Sequence, residues 1–506
     1  MNPARIILCL LVLAFQGEVD AQTFSTRFHF GLFSYATSVF EVNTGYLVTG
    51  VAAQNNGGIH TEYFISHFDS NGVQTWSEMY GSIDSSYAAS WDASVQLSNS
   101  NFIHASRFTS SSGISCAVLA FNDLGEFSHL DDFSSPYAFN EENPDDWIAP
   151  TCIRIDEYQN VFVGAIINTP ENTFNNPAIF KWNEEQGVVW VYALEDDSYF
   201  PIFYSFEFNT IGPFFIVNNV YLDSPSNSLF VQLDFEGNLV TIEEVATYRV
   251  FDILSISNSE FVAAISLFDD PVTGMLPAIW KFNDQGKTIW TSQVIGVGYA
   301  WEQEANDVIL CQDGGYLLSA NYYDEWPQDP EDGPFNKDAM IAKFSSDGAF
   351  EWKRIFNIIE AANDKNRIYD LKATSDGGYI FCGEATGDHF NETQPTQQAW
   401  VVKVDEYGCL IPRCQVSVEE FSQENGMMKV APNPTRDFIN VFVSHDVDQA
   451  QLEVVDGFGR ILDSTSLSHG GTTYLFDCSQ YATGHYLVRL VSEHLGVLEV
   501  ERVVVE

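Results

Sequence analysis

The sequence predicts an all-β protein: a seven-bladed β-propeller followed by a small, immunoglobulin-like antiparallel β-sandwich. Three observations carry this. A short turn motif ending in glycine recurs seven times, at Gly72, Gly125, Gly187, Gly237, Gly286, Gly348 and Gly408. A second hairpin-like element precedes each copy, so every repeat holds four strands. The composition, with 40 Phe and 22 Tyr among 506 residues, suits pleated, half-buried surfaces.

The turn motif is clearest in "IWKFNDQGKTIW" at 279–290. Its Gly-Lys-Thr resembles the end of a phosphate-binding loop. Such a loop needs a further glycine five residues earlier, and that position is Lys281. The phosphate reading therefore fails, and the motif reads as a hairpin. Asn283 opens a type I turn, and Gly286 takes the left-handed conformation that follows. The preceding element is clearest as "DVILCQDGGYLLSA" at 307–320 and "DLKATSDGGYIFCGEA" at 370–385. Trp76, Trp190, Trp290 and Trp352 follow their glycines at near-constant distance. At a repeated position a large ring is predicted to pack between neighbouring sheets.

Four-stranded units recurring every ~50–60 residues are the signature of radially stacked blades. The last repeat lacks its Trp-bearing strand. "TFSTRFHFG" at 23–31 is similar to the missing piece, "TWSEMYG" at 75–81. The N-terminal strand is thus predicted to close the ring. The pattern D-x-x-G-x-x-x-W resembles the blades of quinoprotein-dehydrogenase-like propellers and of many exported Bacteroidota repeat proteins, over roughly residues 24–412. The resemblance concerns the fold and brings no quinone chemistry with it.

Residues 1–21 read as a signal peptide. Arg5 is the positive end, Ile6 to Phe15 is an apolar run too short for a membrane, and Val19-Asp20-Ala21 supplies small residues before the cut. The predicted domains are the propeller at 22–414, a linker at 415–428 and the sandwich at 429–506.

The last 78 or so residues, by the small-sandwich reading, resemble the C-terminal sorting domain of the type IX (Por) secretion system of Bacteroidota. The resemblance rests on "APNPTRDFINV" at 431–441, with Pro432, Asn433 and Pro434. It rests also on "VVDGFGRIL" at 454–462, with Asp456, Gly457 and Gly459. "FDCSQYATGHYLVRLV" at 476–491 adds Gly484 and Tyr486. The ending departs from the family's usual lysines, keeping only Arg502. The resemblance implies a Sec-type route to the periplasm, then handling by the type IX machinery as partner, with delivery to the cell surface or medium.

The formal charge is −48, which repels nucleic acid and anionic lipid surfaces. No later segment is apolar enough for a transmembrane helix. The ten histidines are scattered, with no zinc-protease motif and no nucleophile elbow. The mature chain keeps seven cysteines. Cys409 and Cys414, across "CLIPRC", are expected to form a local disulfide.

Two long inserts, at 322–339 and 386–400, and a third at 135–147, are acidic and aromatic. Tyr322, Tyr323 and Trp326 are candidate stacking residues for a glycan or surface-protein ligand. Asp324, Asp329, Glu331 and Asp332 are candidate calcium ligands. The predicted role is a non-catalytic binding or adhesion module. The alternatives are a polysaccharide-active hydrolase or lyase using acids on one face, and a structural surface component. An enzyme would bring two or more acids together in the central funnel with water excluded. A binder would show exposed aromatics or a cation on one face.

Overall fold

The computed structural model describes residues 22–55, 59–98, 101–134, 148–167, 176–194, 200–220, 228–245, 248–268, 275–295, 297, 303–323, 337–357, 365–387, 397–410, 428–431, 435, 438–443, 448–456, 460–469, 472–479, 481–492 and 496–505. All regular structure among them is strand. The chain divides into two compact units, Met1–Pro412 and Arg413–Glu506.

In the first unit the described strands form antiparallel sheets that follow one another along the chain. Sheets 1 to 7 span residues 33–80, 85–133, 148–193, 200–245, 249–293, 305–356 and 365–404. Each has four strands except sheet 4, where Phe200–Ile202 and Phe206–Phe208 both pair with Pro213–Val220. Sheet 7 has only three strands of its own. Its fourth is Phe24–Phe28, in register from Phe24 opposite Lys403 to Phe28 opposite Ala399. The closure predicted from "TFSTRFHFG" is therefore present. Lys403 is the position that Lys181, Lys281 and Lys343 occupy in sheets 3, 5 and 6, where each faces a tryptophan. Phe24 thus stands where the other sheets place Trp.

The inner strands are Phe33–Val42, Ser85–Gln96, Ile148–Ile155, Phe206–Phe208, Arg249–Ser257, Ala305–Leu310 and Lys365–Ala373. Each touches the next in sequence, and the last touches the first. The packing follows the same cycle. One apolar cluster joins sheets 1 and 2 through Phe40, Tyr63, Phe102 and Leu119. Another joins sheets 4 and 5 through Phe214, Phe230, Phe261 and Trp280. The closing junction holds Phe24, Phe28, Ile380, Ala399 and Val401 of sheet 7 against Phe64 and Phe68 of sheet 1. A single pleated sheet leaves one apolar face wet; a neighbour on each side removes both.

The turn glycines show why the motif is strict. All seven have φ between 70° and 89°, a region that strains residues bearing a Cβ. At Gly286 the Asn283 side chain accepts the N–H groups of Gln285 and Lys287, and a bulge follows at Lys281/Phe282. There is also no room. A Cβ on Gly348 would lie 2.9 Å from the Trp290 ring, and one on Gly237 would lie 2.6 Å from Trp190. Each tryptophan therefore covers the turn of the following sheet. Phe24 does the same to Gly72 at 2.3 Å, which carries the packing across the closure. The second glycine of "DGG" has a separate cause. A Cβ on Gly315 or Gly378 would meet the buried ammonium of Lys343 or Lys403 at 2.4 Å, and these lysines pair with Asp313 and Asp376.

The second unit packs two sheets around one core. Met428–Ala431, Phe438–Val443 and Thr472–Asp477 form the first sheet. Asp448–Val455, Ile461–His469, Gly484–Ser492 and Gly496–Val505 form the second. Ile439, Val441, Leu452, Phe476, Val488, Leu490 and Val503 are buried between them. Residues 1–21, expected to be a signal peptide, residues 415–427 of the expected linker, and Pro432, Asn433, Pro434, Gly457 and Gly459 lie outside the described residues.

Two substitutions test this packing. Gly348→Val is expected to destabilise the first unit by about 2–3 kcal/mol, from backbone strain and displacement of Trp290. Phe28→Ala, at the closing junction, is expected to cost about 3–5 kcal/mol. Denaturant titration of each variant against the parent measures both. Parent-like midpoints would contradict the packing described.

Candidate functional site

The inner strands share an irregularity that builds a site. In sheets 3, 5, 6 and 7 the register slips by one residue at Pro150/Cys152, Val250/Asp252, Ala305/Asp307 and Ile368/Asp370. A bulge turns its extra residue out of the normal alternation. Those extra residues are Thr151, Phe251, Asn306 and Tyr369, and all four line one cavity of about 500 Å³. A longer slip in sheet 2, Ala89/Ser94, delivers Asp92, which sits at φ 56°. Tyr35, Tyr204, Asp252, Asp307, Arg367, Glu384 and Gln397 complete the wall. Every sheet of the first unit contributes, so the cavity lies on the axis of the cycle.

The residue after the bulge is an acid in sheets 5, 6 and 7, and each reaches the next sheet. Val308 N–H donates to Asp252 at 3.4 Å, Leu371 N–H to Asp307 at 2.8 Å, and Val39 N–H to Asp370 at 2.7 Å. Two cations stand beside these carboxylates. Lys372 pairs with Asp370 at 2.5 Å. Arg154 reaches Asp92 at 2.5 Å, Glu207 at 3.1 Å and Asp252 at 3.0 Å, and donates to Ser205 at 2.9 Å. One guanidinium thereby ties sheet 3 to sheets 2, 4 and 5. Its five fixed donors suit a task that a lysine would do poorly.

The electrostatics follow from crowding away from water. Burial raises the Asp92 carboxyl from 3.8 to about 7, with Asp252 adding to the rise and Arg154 opposing it. Burial, then Asp252, Asp370 and Asp92, hold Asp307 well above the usual carboxylate range against the pull of Lys372. Glu207 is raised by burial despite Arg154. Burial alone would lower Arg154, but Asp92, Asp252 and Glu207 lift it well above its ordinary value. On the cavity wall, burial and then Glu384 push Tyr35 up to about 12. Glu384 accepts from Gln397 and lies 3.6 Å from Arg367.

Of the candidate residues named from sequence, the two that are described, Tyr322 and Tyr323, do not line this cavity. Tyr322 is half-buried beside the core joining sheets 5 and 6, with the Lys353 ammonium 5.8 Å from its ring centre. Tyr323 is 8% exposed, with Lys337 at 5.4 Å. Trp326, Asp324, Asp329, Glu331 and Asp332 lie outside the described residues. Among the described residues no group of three or more His, Cys, Asp or Glu is arranged to hold a metal ion. The register puts the described ends of two inserts, Tyr322 opposite Asp338 and Thr386 opposite Gln397, at the end where the inner strands begin. Gln397 reaches the cavity from there. Cys409 is disulfide-bonded, and its expected partner Cys414 lies outside the described residues. Cys116, Cys152, Cys311, Cys382 and Cys478 are free and buried.

In the second unit Asp456 binds Arg460 through both the backbone N–H at 2.9 Å and the guanidinium at 2.6 Å. Gly484 opens the strand Gly484–Ser492. Tyr486 is buried in the core and its hydroxyl donates to Ala482 O at 2.7 Å.

The acid cluster had a trace in the sequence. The repeated elements "DILS", "DVIL" and "DLKA" all begin with the capping aspartate. Arg154 and Lys372 had none, beyond being two of only 22 basic residues.

The state of Asp92 sets a pH dependence. Its folded value lies above its unfolded one, so between about pH 4 and 7 the folded chain binds more protons than the unfolded chain. Stability from this group therefore falls as pH rises through that window. Asp92→Asn removes the titration. The variant is expected to gain on the parent by ~1 kcal/mol or more between pH 4 and 7, each pKa unit being worth ~1.4 kcal/mol. Urea unfolding of both chains across that range measures it; parallel curves would contradict the burial argument.

Comparison with known proteins adds the following. No curated protein matches the chain. Similar solved structures include a protein of unknown function from Dyadobacter fermentans, 9% identical, covering 63% of this chain and 98% of that one, with TM-score 0.40. The NanB sialidase from Streptococcus pneumoniae is 11% identical, covering 80% of this chain and 71% of that one, with TM-score 0.39. The Penicillium chrysogenum alpha-L-arabinanase is 9% identical, covering 62% of this chain and 92% of that one, with TM-score 0.34. Likeness this distant says nothing of what the cavity does. Among the described residues no helix is long and apolar enough to cross a membrane. Residues 429–506 match the family described as the secretion system C-terminal sorting domain, and this type IX tail marks the chain for export to the cell surface or the extracellular space.

Proposed function

We propose that the first unit is a seven-bladed β-propeller acting as a non-catalytic binding module, carried out of a Bacteroidota-type cell by the sorting domain behind it. The blade count is supported by the closed cycle of inner-strand contacts and by the strand Phe24–Phe28 completing sheet 7. The binding role rests on one observation. The axial cavity has the size of a small-molecule site, yet two of its lining acids are already engaged in holding the sheets together. Asp252 serves Arg154 and Val308, and Asp307 serves Leu371. Carboxylates fixed by backbone N–H groups are poorly placed to shuttle protons through a reaction.

One observation favours a second reading, a polysaccharide hydrolase or lyase. Acids do converge on the axis, as an enzyme of that kind requires. Asp92 is held near 7 in a left-handed backbone conformation, and a carboxyl so poised suits a general acid.

A glycan and protein array probed with the mature chain, with and without calcium, separates the readings. Saturable binding to one ligand class, with no new reducing ends or unsaturated sugars released from bound polysaccharide, is the expected result. Release that disappears in Asp92→Asn would overturn the non-catalytic reading.

A further inference from the structure

The axial cavity carries more information than its size. Two aromatic pairs stand in its wall. Tyr35 and Tyr369 meet edge-on, with centroids 6.2 Å apart at 79°. Tyr204 and Phe251 are stacked at 5.1 Å and 23°. The first pair comes from sheets 1 and 7, and the second from sheets 4 and 5. Rings from four of the sheets thus face one space of about 500 Å³. The stacked pair already accepts positive charge: the Arg249 guanidinium lies 5.3 Å from the Phe251 centroid and 6.0 Å from Tyr204.

The charges at the base of the space are unequal. Asp92, Glu207, Asp252, Asp307 and Asp370 are set against Arg154 and Lys372. Asp307 is the acid left over. One of its oxygens takes the Leu371 N–H at 2.8 Å, and Lys372, which attracts it, makes its close ion pair with Asp370 instead. The other cations nearby are spoken for, Arg249 by Glu304 at 2.9 Å and Arg367 by Glu384 at 3.6 Å. An anion entering here would meet a surplus of carboxylates. A hard metal ion wants six or more oxygens, and no such group exists among the described residues. A neutral sugar would satisfy the rings and leave the charge imbalance unmet.

We propose that this cavity is a receptor for an organic ammonium group, with the aromatic pairs receiving its alkyl face by cation–π contact and Asp307 supplying the counter-charge. The proposal rests on the binding reading above and names the ligand class for it. The ammonium group belongs either to a free amine or to a lysine side chain of a peptide. Burial and neighbouring acids hold Asp307 well above the usual carboxylate range, so an ammonium group beside it would favour its ionised form.

The test is calorimetric titration of the full mature chain with n-pentylammonium chloride, with an N-acetyl-lysine amide, and with neutral pentanol and N-acetyl-norleucine amide as matched controls. The expected result is binding of at least one ammonium probe about tenfold or more tighter than its neutral partner. Preference for pentylammonium identifies a free amine, and preference for the lysine amide identifies a peptide. Asp307→Asn, which keeps an oxygen for Leu371 N–H, should lose about tenfold in affinity while melting with the parent. Tyr204→Leu should weaken binding several-fold, so that one misfolded variant does not decide the matter. Equal binding of charged and neutral probes, or no binding of either ammonium probe, overturns the proposal. An array ligand that is neutral or anionic and is lost in Asp307→Asn would leave the binding module standing and remove only the ammonium assignment. Polysaccharide turnover would remove the binding reading itself.

Discussion

The first unit depends on one pairing, that of Phe24–Phe28 with Gln397–Val404. Each sheet has two apolar faces and needs a neighbour on both. In an open row the two end sheets would each keep a wet face and an unpaired edge. The closing strand removes both liabilities together. It supplies the missing edge of sheet 7, and its Phe24 and Phe28 enter the core shared with sheet 1. Hydrogen bonds fix it from both sides: Thr23 donates to Leu410 O, Trp400 donates to Ser25, and Thr26 donates to Gly72 O.

Much of this was legible because the periodic residues do periodic work. A glycine at each turn is required by φ and by the aromatic ring above it, so its spacing survives in the sequence. The tryptophans are legible for the same reason, and the likeness of "TFST" to "TWSE" follows from Phe24 taking the tryptophan's place over Gly72. The cavity was not legible in this way. It depends on bulges in the inner strands, and a bulge leaves alternation intact on both sides of the slip. Thr151, Phe251, Asn306 and Tyr369 occupy equivalent positions yet have nothing chemical in common. Sequence reasoning looked instead to the longest acidic inserts, where a rich composition is visible. Of the residues it singled out there, Tyr322 and Tyr323 are used in packing.

The two units answer different demands. The sorting domain is recognised by its sequence because its match extends over residues 429–506 as a whole. Its core of Ile439, Val441, Leu452 and Val488 is an ordinary sandwich core. In the first unit identity resides in the axis. Arg154 joins four sheets through one side chain, and the same carboxylates that cap neighbouring strands set the chemistry of the space above them. Scaffold and site share these atoms, so a change in one is felt in the other.

The long reach of the closing strand has a kinetic side. Ser25 and Trp400 are 375 residues apart in the chain, and no shorter contact can replace theirs. Synthesis from the N-terminus delivers residue 24 early and residue 400 late. The first β-segment to emerge must therefore wait, unpaired and apolar, while the sheets between are made. Contacts this remote in sequence slow folding, and the waiting strand is the point at which a second copy of the chain could intrude. Until Gln397–Val404 is made, the strand that seals the cycle has nothing to seal it against.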